Sequence, residues 1–287
     1  MPRVTRWART VRGHPPGRTW SCSVSRNGDP VAVKVVSDLH SGVDALVREV
    51  HPDDTLLLLG DLINIIDYGA MDGILVDVYG PEAVAEVVGL RAQRRFDEAR
   101  VVMQRRREGQ EEEVAQRFQI LIREAYRRVA AVLPARTYLI LGNVDSPGIA
   151  LEVLSEEAPE VVMADGKVIE IDGLRVGFVG GGLPTPLGVA GEIAEEEYDA
   201  KLAALGQVDV VCSHVPPDLP GLTYDTVARR RERGSASLLT YVRDFQPLRV
   251  LFGHIHQPLL SSTHLGRTHL LNAGYFRRTQ RAIPLAL

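Results

Sequence analysis

Five short, mainly apolar runs along this chain predict buried β-strands. They are Val31–Val36, Thr55–Leu59, Thr137–Leu141, Val208–Cys212 and Leu248–Phe252. Continuous apolar runs of this length are typical of parallel strands whose two faces are both covered. The pattern therefore predicts an α/β fold, because parallel strands are joined by crossover segments that are usually helical.

The middle of the chain has a different pattern, which predicts an antiparallel pair. Val168–Ile171 and Leu174–Phe178 are strand-like segments separated by Asp172-Gly173. An Asp-Gly pair is typical of a two-residue hairpin turn. Parallel strands in one part and a hairpin in another predict two sheets packed face to face, with helices on the outside.

A charged segment at about residues 80–133 predicts helical structure inserted between two strands. Its second half repeats apolar residues at intervals of three and four, as one face of an amphipathic helix does. These residues are Phe118, Leu121, Ile122, Ala125 and Val129. The pattern is broken near Gly109 and ends at Pro134, so we expect a helical hairpin or a long bent helix. The segment is longer than one crossover requires, and we interpret it as a lid or a subunit interface.

The charge and cysteine content limit the partners and the compartment. A net charge of −4 over 287 residues does not indicate nucleic acid or an acidic membrane as a partner. The net charge does not exclude a local basic patch on the surface. No apolar stretch is long enough to span a membrane. Of the two cysteines, Cys212 ends a core-like run and Cys22 lies far from it. We therefore expect no disulfide framework and a cytoplasmic protein, and we leave the oligomeric state open.

The start of the chain differs from the rest in composition. The first 28 residues contain no Asp or Glu but several arginines, together with Pro15 and Pro16. We interpret residues 1–30 as a loosely ordered extension or the result of a start codon set too early. Residues 31–287 are then expected to form a single domain that carries the helical insertion.

A short polar motif follows each of the five apolar runs. In chain order the motifs are Asp38-Leu39-His40, Gly60-Asp61, Gly142-Asn143-Val144-Asp145, Ser213-His214 and Gly253-His254-Ile255-His256. Open α/β sheets bind ligands just beyond the carboxyl ends of their strands. Residues two apart on a strand point the same way, so Asp38 and His40 can reach one ion together. Oxygen and imidazole donors without a thiolate favour Mn, Fe, Zn or Co over a structural cysteine-type zinc site.

Together the five motifs resemble those of the calcineurin-like metallophosphoesterases, over the chain from about Val31 to Gly274. The resemblance implies the family's α/β fold, a four-layer sandwich of two mixed β-sheets flanked by helices. It also implies a first metal site formed by Asp38, His40, Asp61 and His256. The second site would be formed by Asp61, Asn143, His214 and His254. Asp61 would bridge the two ions, and the expected catalytic residues are Asp61, Asn143 and His214.

This site predicts a dinuclear metal-dependent hydrolase of phosphate esters. The expected cofactors are two divalent metal ions (Mn, Fe or Zn), which would generate the hydroxide that attacks phosphorus. The expected substrate is a small-molecule phosphoester. Asp67 and Tyr68 follow the second motif closely and are candidates for its substrate side. A cluster of Arg229, Arg230, Arg231 and Arg233 is either a phosphate clamp or a solvated helix face.

The chain departs from the family pattern at one position. A histidine usually follows the motif asparagine, near the leaving group and oriented by the next acid, but Val144 stands here before Asp145. General acid assistance is typically worth ~100- to 10,000-fold. Another donor such as His264 or His269 could serve, or the leaving group could be acidic enough to need none. Some phosphodiesterase-like branches also lack this histidine, which favours a diester substrate. The alternative is a metal-binding scaffold that recruits partners with little catalysis.

Overall fold

The computed structural model describes residues 32–186 and 188–285. The extension predicted for residues 1–30, Cys22 and the first residue of the first predicted strand lie outside the described residues.

Two large mixed β-sheets form the centre of the structure. The first contains β1 (Val33–Val36), β2 (Thr55–Leu59), β3 (Thr137–Ile140), β4 (Val162–Met163) and β13 (Ile283–Leu285). Its order is β13-β1-β2-β3-β4, with β13 antiparallel to β1 and the other neighbours parallel. The second contains β5 (Val168–Ile171), β6 (Leu174–Val179), β7 (Val210–Ser213), β10 (Arg249–Phe252), β11 (Ser262–Leu265) and β12 (Thr268–Asn272). Its order is β11-β12-β10-β7-β6-β5, and only the edge strands β11 and β5 are antiparallel.

The described residues also form ten helices and a small hairpin. The helices are α1 (Val43–Glu49), α2 (Ile74–Tyr79), α3 (Pro81–Ala92), α4 (Phe96–Arg107), α5 (Glu111–Ala130), α6 (Pro147–Glu157), α7 (Glu195–Leu205), α8 (Pro220–Thr223), α9 (Ala236–Phe245) and α10 (Phe276–Thr279). The hairpin pairs β8 (Tyr224–Asp225) with β9 (Arg230–Arg231). None of the helices in the described part of the chain is long and apolar enough to span a membrane.

Alternation along the strands produces the four layers. Leu57 and Leu59 of β2 point into an apolar core between the sheets, which they share with Phe178 and Cys212 of the second sheet. The intervening residues of β2 point the other way, into a core covered by α1, α5 and α6. The outer face of the second sheet packs on α7 and α9 in the same manner. The predicted sandwich of two mixed sheets flanked by helices is confirmed. One face of each sheet packs against the other sheet, and its opposite face packs against helices.

The predicted hairpin is present as β5 and β6. Its turn residues Asp172 and Gly173 have φ values of 48° and 78°. Positive φ at both central positions is the requirement of the tight turn that suits twisted strands, and Asp-Gly satisfies it.

The charged segment forms three helices, α3 to α5, where a hairpin or one bent helix was expected. The break at Gly109 is confirmed, with φ of 78° between α4 and α5. A second break at residues 93–95 was not predicted, because its left-handed residue is Arg94 (φ 60°) and no glycine or proline marks it. The apolar stripe of α5 faces the core as predicted, with Ile122, Ala125 and Val129 buried and Phe118 and Leu121 half-buried. In contrast, α4 packs on α3 and exposes most of its residues.

Candidate metal centre

The seven predicted ligands meet where the carboxyl ends of strands from both sheets come together. β1, β2 and β3 contribute Asp38, His40, Asp61 and Asn143, and β7 and β10 contribute His214, His254 and His256. Backbone hydrogen bonds join the loops directly. The Asp38 N–H donates to the Gly60 carbonyl (3.1 Å), and the Gly253 N–H donates to the His214 carbonyl (3.0 Å).

One group of donors, the first cluster, consists of Asp38, His40, Asp61 and His256. One ligand atom from each residue lies within 4.8 Å of all the others. The two Nε2 atoms of His40 and His256 are 3.2 Å apart. His256 Nε2 is 3.4 Å from Asp38 Oδ1, and His40 Nε2 is 3.7 Å from Asp61 Oδ2. Four donor atoms therefore surround one point, as a bound cation requires.

A second cluster consists of Asp61, Asn143, His214 and His254. Asn143 Oδ1 lies 2.9 Å from His214 Nε2 and 2.9 Å from His254 Nδ1. Asp61 Oδ1 is 3.5 Å from His214 Nε2, while its other oxygen is the one nearest His40. The two oxygens of one carboxylate thus face different clusters, which is the arrangement of a bridging ligand.

The backbone of the centre is strained at the ligands themselves. Four of the seven have positive φ, namely Asp38 (53°), His40 (40°), Asp61 (53°) and His254 (69°). Such conformations typically cost ~1–3 kcal/mol each for a residue with a side chain and concentrate at functional sites. The strain places the ligand side chains together at the expense of local stability.

Two motif glycines allow the loops to approach this closely. A Cβ on Gly60 would lie 2.6 Å from the Gly142 nitrogen and 2.8 Å from His214 Nδ1. A Cβ on Gly142 would overlap Asp61 Oδ1 and lie 2.6 Å from the Asp61 nitrogen. No other residue type leaves this space, so the glycines are part of the centre's geometry.

Burial and neighbouring charges shift the pKa values of the imidazoles in different directions. His214 Nδ1 lies 2.8 Å from the Leu59 carbonyl, which can only accept, so Nδ1 carries the proton and Nε2 offers its lone pair. Burial, followed by the charge of His214, lowers the pKa of His254 to about 4. Burial would raise the pKa of Asp38, but the hydrogen bond and charge of His256 hold it well below its usual range. Burial opposes protonation of His214 and His256, but the charges of Asp61 and Asp38 outweigh it and raise both pKa values. Neutral imidazoles and ionised carboxylates are the forms that bind metal, so a cation would displace a proton from these two residues.

Asp145 bonds to two backbone N–H groups and a tyrosine. Its carboxylate accepts hydrogen bonds from the Leu62 N–H (3.0 Å), the Gly142 N–H (2.8 Å) and the Tyr126 hydroxyl (3.1 Å). Burial and the charge of Asp61 raise its pKa to about 7, while the two backbone N–H groups oppose that rise. Through these bonds the buried Asp145 joins the loops of the second and third motifs. Its carboxylate is therefore not free to orient a catalytic imidazole.

The alternative proton donors lie away from the centre. His269 pairs with Arg249 at the amino end of β10, whereas His254 follows its carboxyl end. Arg249 and His254 are five residues apart along β10 and the turn that follows it, which corresponds to a separation of up to roughly 16 Å. His264 is the cross-strand partner of His269, and their rings stack with centroids 4.7 Å apart. The suggestion that either could act as the general acid is therefore wrong.

The arginine cluster forms a hairpin and not a helix. Arg230 and Arg231 make up β9 and pair with Glu232 and Asp218, while Arg233 pairs with Glu195. The interpretation as a helix face is wrong, and these ion pairs reduce the availability of the three side chains for phosphate.

Three further residues support the centre. The Asn272 amide donates to the Ile255 carbonyl (3.0 Å) and so holds the fifth motif. Tyr275 stacks on His256, and Arg277 donates to the His40 carbonyl. Asn272 lies in a segment that resembles the family, but Tyr275 and Arg277 carry no motif and could not be found from the sequence.

A mixed α/β sandwich with clustered carboxylate, amide and imidazole donors at its strand ends defines a candidate metallohydrolase. The chain belongs to the calcineurin-like phosphoesterases, whose family model matches residues 31–258. The family and the donor cluster together support a metal-dependent phosphoester hydrolase that binds divalent metal.

The solved structures that match this chain are distant from it in sequence. One crystal structure is 13% identical and aligns over 85% of this chain and 90% of its own, with a TM-score of 0.53. TT1561 of Thermus thermophilus is 16% identical over 88% of this chain and 97% of its own (TM-score 0.45). GAP50, the anchor in the inner membrane complex of Plasmodium, is 10% identical over 85% and 71% (TM-score 0.38). No curated protein matches this chain.

Proposed function

We propose that this chain is a dinuclear phosphodiesterase with one divalent ion in each cluster and Asp61 as the bridge. The observation that carries the proposal is the orientation of Asp61, whose Oδ2 faces His40 and whose Oδ1 faces His214. Because its two oxygens face different clusters, one carboxylate could contact an ion in each of them. Mn, Fe or Zn suits this mixture of oxygen and nitrogen donors.

The donor set fits such ions in number as well as in kind. Each cluster offers four protein donors and shares only Asp61. Two bound divalent ions would lower the pKa of a shared water and neutralise charge on the phosphoryl oxygens. The residues then have separate tasks. Asn143 and His214 fix the second cluster beside the bridge, and the Leu59 carbonyl holds His214 in the required tautomer.

The surroundings of Val144 support a diester with an acidic leaving group. Its N–H donates to Asp61 Oδ1 (3.0 Å), and its side chain has no proton to give. Among the described residues, the histidines outside the clusters are His51, His264 and His269. His51 precedes β2, and His264 and His269 lie near the amino end of β10. All three are at the amino ends of strands, whereas the ligands follow the carboxyl ends. Since no further imidazole of residues 32–186 and 188–285 is placed to protonate the leaving group, we expect hydrolysis to favour groups that depart as stable anions.

A comparison of bis-(4-nitrophenyl) phosphate with 4-nitrophenyl phosphate tests this proposal. The two share a leaving group and differ in the second ester, so their kcat/KM ratio reports the preference for a diester. With Mn²⁺ present we expect the diester to react faster and Asn143→Ala to abolish both reactions. A faster monoester would overturn the diester assignment.

The alternative of a scaffold rests on one observation, the absent histidine at Val144. No turnover of any mono- or diester with any divalent metal, by a protein that binds two ions, would favour it. For the enzyme we propose a small-molecule phosphoester as substrate and the cytoplasm as compartment, the latter because Cys212 is a free, buried thiol.

A further inference from the structure

A segment beyond the family-model match closes one side of the first cluster. The match ends at residue 258, and Tyr275 and Arg277 follow β12 some way beyond it. The Tyr275 ring stacks on the His256 imidazole, with centroids 3.9 Å apart and planes 8° apart. It also meets His40 edge-on at 5.5 Å. Both imidazoles of the first cluster therefore rest against one aromatic ring.

The Tyr275 ring is itself held at its far end. Its hydroxyl donates to Asp67 Oδ2 at 2.8 Å. Asp67 is in turn fixed by the N–H groups of Gly69 (2.7 Å) and Ala70 (3.0 Å). Since Asp67 was a candidate for the substrate side, its observed role is different: it anchors the ring that supports His256.

Arg277 holds the backbone of the other two ligands. Its Nη1 donates to the His40 carbonyl (2.7 Å), and its backbone N–H donates to the Asp38 carbonyl (3.2 Å). The guanidinium is oriented by Asp72, at 2.6 and 2.9 Å, and by Asp67 at 3.3 Å. Asp38 and His40 both have positive φ, so Arg277 stabilises the strained turn that aims them at the cluster.

We propose that Tyr275 and Arg277 are positioning residues that set the metal affinity of the first cluster and leave the second cluster unaffected. The inference rests on the proposed function. The ligands that these two residues contact are Asp38, His40 and His256, all in the first cluster. Partners of metal ligands typically contribute ~10- to 100-fold to metal affinity, because they fix ligand orientation before binding.

Cluster-specific backgrounds make the proposal testable by metal binding alone. In His254→Ala the first cluster retains all its ligands, and in His40→Ala the second cluster does. Each background, as apoprotein, is titrated with Mn²⁺ by calorimetry and by the loss of the free-ion electron paramagnetic resonance signal. Arg277→Met should weaken binding ~10- to 100-fold in the His254→Ala background and leave it unchanged in the His40→Ala background.

The chain supplies a matched control and a graded series. Arg278→Met removes an exposed arginine from the same helix and should change neither titration. Tyr275→Phe keeps the stacked ring and loses the hydroxyl bond, so it should weaken first-cluster binding less than Tyr275→Leu does. If Arg277→Met fails to fold, the comparison of Tyr275→Phe with Tyr275→Leu still tests the proposal.

The outcomes separate this inference from the proposed function. Equal weakening of both clusters, or no weakening of the first, would overturn the positioning role while leaving a two-metal enzyme intact. A wild-type protein that binds fewer than two ions would instead remove the proposed function itself.

Discussion

The two clusters share Asp61 but are held in different ways. The second cluster is held from within the motifs: the Leu59 carbonyl orients His214, and Asp145 ties the neighbouring loops together. The first cluster is held by Tyr275 and Arg277, which lie outside the family-model match. The motifs therefore define which residues form the clusters, whereas the support of one cluster depends on sequence that the family-model match does not include.

Loss of the shared ligand should have the largest effect, because it damages both clusters at once. We expect Asp61→Ala to lose metal and activity together, since two like charges would face each other with less neutralisation. The loss should exceed the ~10- to 100-fold that removal of an outer-shell partner causes. Metal analysis and diester kinetics on the same preparation measure it. Asp44→Ala, at an exposed position of α1, is the control, and an active Asp61→Ala protein would refute the bridge.

Gly142→Ala should damage the centre, and the second cluster more than the first. The new Cβ would overlap Asp61 Oδ1, so the third motif must move away from the bridge. Overpacking of this kind typically costs ~1–3 kcal/mol, and the displaced Asn143 should weaken metal binding further. Gly148→Ala is matched, because a Cβ there meets nothing within 4 Å. Chemical unfolding and Mn²⁺ titration of both variants check the expectation, and equal behaviour of the two would contradict it.

Restoring a histidine at position 144 should help little. In the native protein the rate should fall steeply as the leaving group's pKa rises, so aryl diesters should react much faster than alkyl ones. Val144→His would supply a donor, but Asp145 is committed to Leu62, Gly142 and Tyr126 and cannot orient it. We expect a gain for alkyl diesters well below the ~100-fold lower end of general acid catalysis.

The measurement is kcat/KM for a series of diesters whose leaving groups differ in pKa, in the native protein and in Val144→His. A flat dependence in the native protein would reveal another proton donor. A gain of ~100-fold or more in Val144→His would mean that Asp145 can turn toward the centre after all.

Changes in α4 should have the smallest effect, since this helix supports neither cluster. It packs on α3 and buries only Ala99 among its own residues. Replacing residues 94–109 with a Gly-Ser linker should change the unfolding free energy by no more than about 1–2 kcal/mol and leave metal binding unchanged. Substrate preference or oligomeric state should change instead, if the segment is a lid or an interface. Outright unfolding would show that α4 belongs to the core.

The sequence predicted what is local and missed what depends on distant contacts. The strand ends and their ligands are recognisable because each motif directly follows an apolar run, as at Leu59 and Asp61. The contact between Tyr275 and His256 joins segments on either side of β11 and β12, and Arg277 meets His40 across most of the chain. No local pattern encodes such pairs. The partners of Asp145 could not be predicted for the same reason, because Tyr126 and Leu62 are far from it in sequence.

The number of ions bound tests the central claim most directly. Purified protein is stripped of metal, saturated with Mn²⁺ or Zn²⁺, freed of excess by dialysis and analysed for metal per chain. The arrangement of the two clusters around Asp61 predicts two ions per chain for the native protein. One ion per chain, or none, would contradict the dinuclear centre on which the proposed function rests.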